Sequence, residues 1–246
     1  MNAFVTGGSR GIGRAIVLKF IAEGYDCAFT YAARKDAADE TVELALKVRP
    51  DARIRAYELD LKNTATIEPV IEAAIADFEN IHVLVNNAAI VRDNALALMS
   101  DEDWNEVIAA NLTGPFHMIR GFIMHFISNR KGRIINISSL SAGGSSGQAN
   151  YAASKAGLNA LSNTVAREYA RKGITCNVVT VGFVPTDMTD EHFATELEKI
   201  WMQYCPMRRP GTAEEIASMV YYLTTEDAGF VNGENISVSG GLGYVP

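Results

Sequence analysis

The chain has 246 residues, 48% hydrophobic and 21% charged, with a formal net charge of −7 and a pI near 5.2. That acidity opposes binding to nucleic acid, whose affinity depends on cations neutralising phosphates, and equally to anionic membranes. The apolar runs fall short of the roughly 20 residues a membrane span needs, and Met1-Asn2 leads straight into an apolar strand with no secretory leader, so a cytoplasmic protein is expected.

Short β-branched runs alternate with longer helix-periodic segments from end to end, the signature of βαβ units around a mainly parallel sheet. A strand over 2–6 runs into Gly7-Gly8-Ser9-Arg10-Gly11-Ile12-Gly13 and a helix over 14–23. Glycines in such a turn permit positive φ and close approach of a ligand, while the free N–H groups and dipole of the helix start favour an anion. The spacing differs from the Gly-x-Gly-x-x-Gly of the general dinucleotide fingerprint. A strand over 26–31 and a helix over 37–48 follow, then a strand over 53–59 that ends at Asp60-Leu61 and a helix over 65–78. The fourth strand, 81–86, delivers Asn87-Ala88-Ala89, and the helix expected over 103–127 carries Asn111 and should be kinked by Pro115. The fifth strand, 132–138, ends in Ser138-Ser139 ahead of a helix over 151–171. The sixth, 174–181, opens into Gly182-Phe183-Val184-Pro185-Thr186, and a helix over 213–223 and a strand over 234–238 close the chain. No linker, repeat or charge block divides it, so one domain over 1–246 is expected, an α/β doubly wound parallel sheet with helices on both faces. Gly7, Asp60, Asn87, Ser139 and Gly182 each lie just past a strand end, so they should line one crevice at the carboxyl edge of the sheet. Cys27, Cys176 and Cys205 are few and far apart, which suits reduced thiols. His82, His117, His125 and His192 show no ligand-like pairing, and no metal is expected.

Tyr151 and Lys155 stand at i and i+4 and so share a helix face. A cation beside a phenol favours the phenolate. With an effective dielectric of about 20 and a separation of roughly 5 Å, one ammonium contributes on the order of 3 kcal/mol, lowering the phenol pKa by roughly two. Alone, Tyr-x-x-x-Lys also describes an ordinary surface pair.

Together, Thr6-Gly7-x-x-x-Gly11-x-Gly13, Asn86-Asn87-Ala88-Ala89, Asn111, Ser138-Ser139 and Tyr151-x-x-x-Lys155 resemble the short-chain dehydrogenase/reductase family, over essentially the whole chain. The resemblance implies a Rossmann-like fold and a nicotinamide dinucleotide held by Gly7, Ser9, Arg10, Gly11, Ile12 and Gly13. It places Asp60 and Leu61 at the adenine, Asn87, Ala88 and Ala89 along the cofactor, Lys155 at the nicotinamide ribose, and Val184 and Thr186 on the carboxamide side. Asp60 also suits a helix N-cap. Tyr151 would hand a proton to a substrate carbonyl oxygen steadied by a serine, and Asn111 would anchor a water relaying protons to Lys155. Two alignments of the serine disagree: the run Asn136-Ile137-Ser138-Ser139 points to Ser139, and counting back from Tyr151 points to Ser138. Ser139 is preferred, because a loop loses a residue more easily than a strand end slips to the opposite face. Ala89 and Val181 depart from the family's usual Gly and Pro.

The second strand ends at Phe29-Thr30-Tyr31, where an NAD-selecting fold usually offers a carboxylate to the ribose 2′-hydroxyl. None is there, and Arg10 and Arg34 supply cations where the 2′-phosphate of NADP would lie, unless both simply face solvent. NADPH is therefore the expected cofactor. The segments 86–94, 147–157 and 205–211 most resemble β-ketoacyl thioester reductases, implying an acyl thioester substrate borne by acyl carrier protein or coenzyme A. Oxidation of another secondary alcohol, or dinucleotide sensing without catalysis, are the alternatives. Arg130-Lys131-x-Arg133 and Arg171-Lys172 could dock an acidic carrier, or merely satisfy helix C-termini. Residues 187–205 are expected to form a mobile substrate lid, and the resemblance implies a homotetramer or homodimer.

Overall fold

In the computed structural model, which describes residues 1–185 and 199–246, seven strands form one parallel sheet. They are β1 (Asn2–Val5), β2 (Asp26–Tyr31), β3 (Ile54–Glu58), β4 (Val83–Asn86), β5 (Gly132–Ser139), β6 (Ile174–Val181) and β7 (Asn235–Val238), in the spatial order β3-β2-β1-β4-β5-β6-β7. Strand order reverses between β1 and β4, so the loops that follow these two strands diverge and open a crevice at their carboxyl ends. Every described residue of β1, β4 and β6 is buried, as a sheet covered on both faces requires.

Alternation along the strands sorts side chains onto two layers. Val5, Phe29, Ile135, Ile137 and Val179 pack on one face against Ile16, Val17 and Phe20 of α1 (Gly11–Ala22), Ala38 and Ala45 of α2 (Lys35–Val48), and Ile216 and Val220 of α7 (Ala213–Tyr222). Phe4, Ala28, Leu84, Ile134 and Cys176 pack on the other against α3 (Ile67–Phe78), α5 (Gly114–Asn129) and α6 (Ala149–Tyr169), where Phe122 stacks on Phe126 and meets Phe4. Each fully buried Phe contributes about 2–3 kcal/mol of transfer free energy, so these layers fix the strand ends from which the crevice loops spring.

The helix expected over 103–127 is instead three pieces: α4 (Asp101–Ile108), a π-helical turn over Ala109–Thr113, and α5. Pro115 sits in the first turn of α5 and has no N–H for the Asn111 carbonyl four residues back. The widened turn absorbs the missing bond, so a bulge replaces the sharp kink. Ser100 caps α4 by accepting from Asp103 N, and Thr212 with Glu215 forms a capping box on α7.

Candidate active site

The crevice has a volume of about 870 Å³ and runs from the glycine turn past the ends of β4 and β5 to Tyr151 and Lys155. Its first wall is the turn between β1 and α1. Gly7 and Gly11 have φ of +67° and +53°, the left-handed region where a side chain would be strained. A Cβ on Gly13 would lie 2.0 Å from the Gly7 carbonyl oxygen, so α1 can start this close to β1 only with glycine there. Three polar side chains hold the turn. Thr30 Oγ1 accepts from Gly7 N at 3.1 Å, Asn87 Nδ2 donates to the Thr6 and Gly7 carbonyls, and Arg14 donates to the Ser9 carbonyl, Thr41 and Glu40. Thr6 Oγ1 in turn accepts from the Asn87 and Ala88 N–H groups. Neither Thr30 nor Arg14 is apparent as a site residue in the sequence, since each acts through a partner distant in the chain. Thr6 could have been found from its place just ahead of the first glycine.

The arrangement fits a dinucleotide. The α1 N-terminus has no side-chain cap and no acidic residue in its first turn, which leaves its N–H groups and dipole for a phosphate. Ser9, Arg10, Ile12, Arg34, Asp60, Leu61, Ala88, Ala89 and Val184 also line the crevice, so the sequence-expected binding residues among those described converge on it. Asp60 is not a helix N-cap. Its carboxylate accepts from Lys62 N within a turn, and Asn63 precedes the short helix that follows. Arg34 makes a two-pronged ion pair with Asp36 that holds the Asp36 carboxyl down to about 2, so it reaches the crevice rim together with its own counter-charge.

At the other end, the first turn of α6 presents Tyr151 beside Ser139, the last residue of β5. Lys155 is 2% exposed; its Nζ donates to the Ile137 carbonyl at 2.8 Å and lies 5.6 Å from the centre of the Tyr151 ring. Burial lowers the Lys155 pKa to about 8. The lowering expected for Tyr151 does not occur here. Burial pushes the phenol up to about 12, the Ser139 hydroxyl opposes that by hydrogen bonding, and the Asp93 carboxylate adds to it. Desolvating an anion outweighs an ammonium whose nearest partner is a backbone carbonyl. The two serines separate as neighbours on a strand must: Ser139 reaches Tyr151, whereas Ser138 is buried on the α6 face and its Oγ has no hydrogen-bond partner among the described residues.

The Asn111 side chain holds the loop after β4. Its amide clamps Ile90 by accepting from N and donating to O, both at 2.9 Å, and its remaining donor reaches Ser154 Oγ at 3.4 Å. The basic segments fall away from the crevice. Arg130-Lys131 and Arg171-Lys172 lie at the amino ends of β5 and β6, an eight-residue strand or roughly 26 Å from the carboxyl ends. Lys131 pairs with Glu226, and Arg133 is buried. Thr186 and most of the expected lid lie outside the described residues. Of the rest of that segment, residues 199–204 are helical, and Trp201 packs near Phe183 and against Leu140, Cys205 and Leu242.

Residues 7–243 match the family model described as Enoyl-(Acyl carrier protein) reductase. The chain is 39% identical over 242 residues to the 3-oxoacyl-[acyl-carrier-protein] reductase FabG of Staphylococcus aureus (strain N315), covering 98% of this chain and 97% of that protein. It is 41% identical over 245 residues to the protein of the same name from Escherichia coli (strain K12), covering 98% and 96%. The crystal structure of levodione reductase matches with a TM-score of 0.91 at 26% identity, over 98% of this chain and 96% of that one.

Proposed function

The chain belongs to the short-chain dehydrogenase/reductase family, and from that premise we propose that it is an NADPH-dependent reductase converting a 3-oxoacyl thioester to the 3-hydroxyacyl thioester. The observation that carries the reading is one crevice with an anion-ready glycine turn and two arginines at one end, and Tyr151, Ser139 and Lys155 at the other. The relatives' name supplies the substrate class.

When bound, the reduced nicotinamide supplies a hydride to the carbonyl carbon. Tyr151 holds the proton destined for the carbonyl oxygen, and its burial keeps it a phenol at neutral pH. Ser139 Oγ accepts from Ser141 N at 3.1 Å, which leaves its own hydrogen free to point at that oxygen. Lys155 keeps most of its charge at pH 7, where it favours the phenolate formed once the proton has left, and its unfilled donors suit ribose hydroxyls. Arg10 and Arg34 would hold the 2′-phosphate, Arg34 by sharing itself with Asp36. An acyl carrier protein partner, a cytoplasmic location and assembly as a homotetramer go with this reading. The exposed Phe116 and Met124 on α5 suit a subunit contact.

The test follows NADPH absorbance with acetoacetyl thioesters of coenzyme A and of acyl carrier protein, a 2-enoyl thioester and levodione, for wild type and Tyr151→Phe. Turnover of the 3-oxo thioesters that Tyr151→Phe abolishes is expected. A second reading, reduction of another ketone, is favoured by the match to levodione reductase, and turnover of levodione alone would establish it instead.

A further inference from the structure

Hydrogen bonds through Gln148 and the two polar groups of Ser141 link an exposed carboxylate to Ser139 at the Tyr151 end of the crevice. Asp93, on the loop after β4, accepts from Gln148 Nε2 at 2.9 Å. Gln148 Oε1 accepts from Ser141 Oγ at 2.9 Å, and Ser141 N donates to Ser139 Oγ at 3.1 Å. Ser139 then reaches Tyr151. The two loops that carry these groups are tied to each other as well: Asn94 N donates to the Gly147 carbonyl at 2.8 Å and Asn150 Nδ2 to the Arg92 carbonyl at 3.0 Å.

We propose that Asp93 is a positioning residue, which through Gln148 and Ser141 sets the direction in which the Ser139 hydroxyl donates; this rests on the reading of Tyr151 and Ser139 above. The polarity follows from the groups. A carboxylate only accepts, so the amide must turn its NH₂ toward Asp93 and its oxygen toward Ser141. The Ser141 hydroxyl is thereby committed to Gln148, which anchors the short turn over Leu140–Gly143 and aims the Ser141 N–H at Ser139 Oγ. With that lone pair occupied, Ser139 donates outward.

The charge of Asp93 has a second effect on the same acid. An anion opposes formation of another anion, so Asp93 favours the protonated phenol, the form that can give a proton away. The other charged groups near this end, among the described residues, are Lys155 from α6 and Arg92 from the Asp93 loop, the latter paired with Glu106 of α4 at 3.0 Å. β5 and β6 line this part of the crevice with Ile137, Ser138, Ser139 and Val181, none of them charged.

The anchoring and the charge are separable by substitution. Asn retains an accepting oxygen, so Asp93→Asn removes the charge and keeps the anchor; Asp93→Ala removes both; Gln148→Ala removes the anchor and keeps the charge. Because this exposed carboxylate favours the protonated phenol, removing its charge should lower the Tyr151 pKa. With ¹³C-labelled tyrosine, the Tyr151 Cζ resonance, assigned with Tyr151→Phe, is followed up to pH 11 in the ligand-free protein. Asp93→Asn should raise the ionised fraction at pH 11, and Gln148→Ala should not. In turnover, the alkaline limb of kcat should move to lower pH in Asp93→Asn and Asp93→Ala. Asp93→Ala and Gln148→Ala should in addition lower kcat at pH 7 about tenfold with little change in KM. A wild-type ionised fraction in Asp93→Asn, or wild-type kcat in both Asp93→Ala and Gln148→Ala, overturns the proposal. Should no thioester or ketone be turned over by wild type, the functional reading fails, and the resonance still decides whether Asp93 acts on Tyr151.

Discussion

Lys155 should make the protein less stable than it would be with an apolar residue in its place, by an amount that depends on pH. The side chain is 2% exposed and its Nζ donates to the Ile137 carbonyl. Its pKa falls from the ordinary 10.5 to about 8, which corresponds to about 3 kcal/mol of unfavourable folding free energy at pH 7. Lys155→Met keeps the length of the stem and removes the charge. It forfeits the bond to Ile137, worth about 1 kcal/mol, so a net gain of about 2 kcal/mol is expected at pH 7. The sign with pH follows from proton counting. Between pH 8 and 10.5 the unfolded chain binds the proton that the folded protein has released, so wild-type stability rises relative to the variant as pH climbs through that window. From pH 7 to 10 the wild type should recover about 2.5 kcal/mol relative to Lys155→Met. Urea denaturation of both proteins at one concentration, at pH 7, 8.5 and 10, measures this directly. A constant difference across that range would refute the reasoning, since it would mean that Lys155 is not held at a lowered pKa.

Ser139→Ala should lower kcat by about a hundredfold, within the usual effect of one catalytic hydrogen-bond donor. Ser138→Ala should leave kcat within a few-fold and raise the unfolding free energy by about 1 kcal/mol, because a buried hydroxyl without a hydrogen-bond partner among the described residues is removed; the reverse pattern in steady-state kinetics would mean the two serines are misassigned. Gly13→Ala should abolish dinucleotide binding by calorimetry and lower the melting temperature, since its methyl would meet the Gly7 oxygen at 2.0 Å and Asn87 Nδ2 at 2.5 Å; overpacking of this kind costs at least about 2 kcal/mol. Arg10→Ala should raise KM for NADPH about tenfold, the worth of one charge-assisted contact, and leave that for NADH nearly unchanged. Arg34→Ala should do less, because Asp36 already occupies much of its guanidinium; equal effects on the two cofactors would remove the arginines from phosphate recognition.

The alternation of short β-branched runs with helical stretches determined the parallel sheet, and every expected strand overlaps an observed one. The reason is local: period-two and period-3.6 patterns, glycines and strand ends are properties of adjacent residues. The motif positions at the strand ends likewise placed Gly7, Asp60, Asn87, Ser139 and Gly182 on one crevice, because a parallel sheet puts all its carboxyl ends on one edge. Tertiary structure decided what each group can do there. Whether the Tyr151 phenol rises or falls depends on the balance of burial and the Asp93 carboxylate, which raise it, against the Ser139 hydrogen bond, which lowers it, and no spacing encodes that balance. Asn111 became a clamp on Ile90 once the turn ahead of Pro115 widened, and Asp36 sits two residues from Arg34 in a pair that only the side-chain geometry reveals. The basic segments lie at the far end of the sheet because helices α5 and α6 each run the full length of a strand before ending, so a cation at their C-termini is carried away from the crevice where the same helix begins.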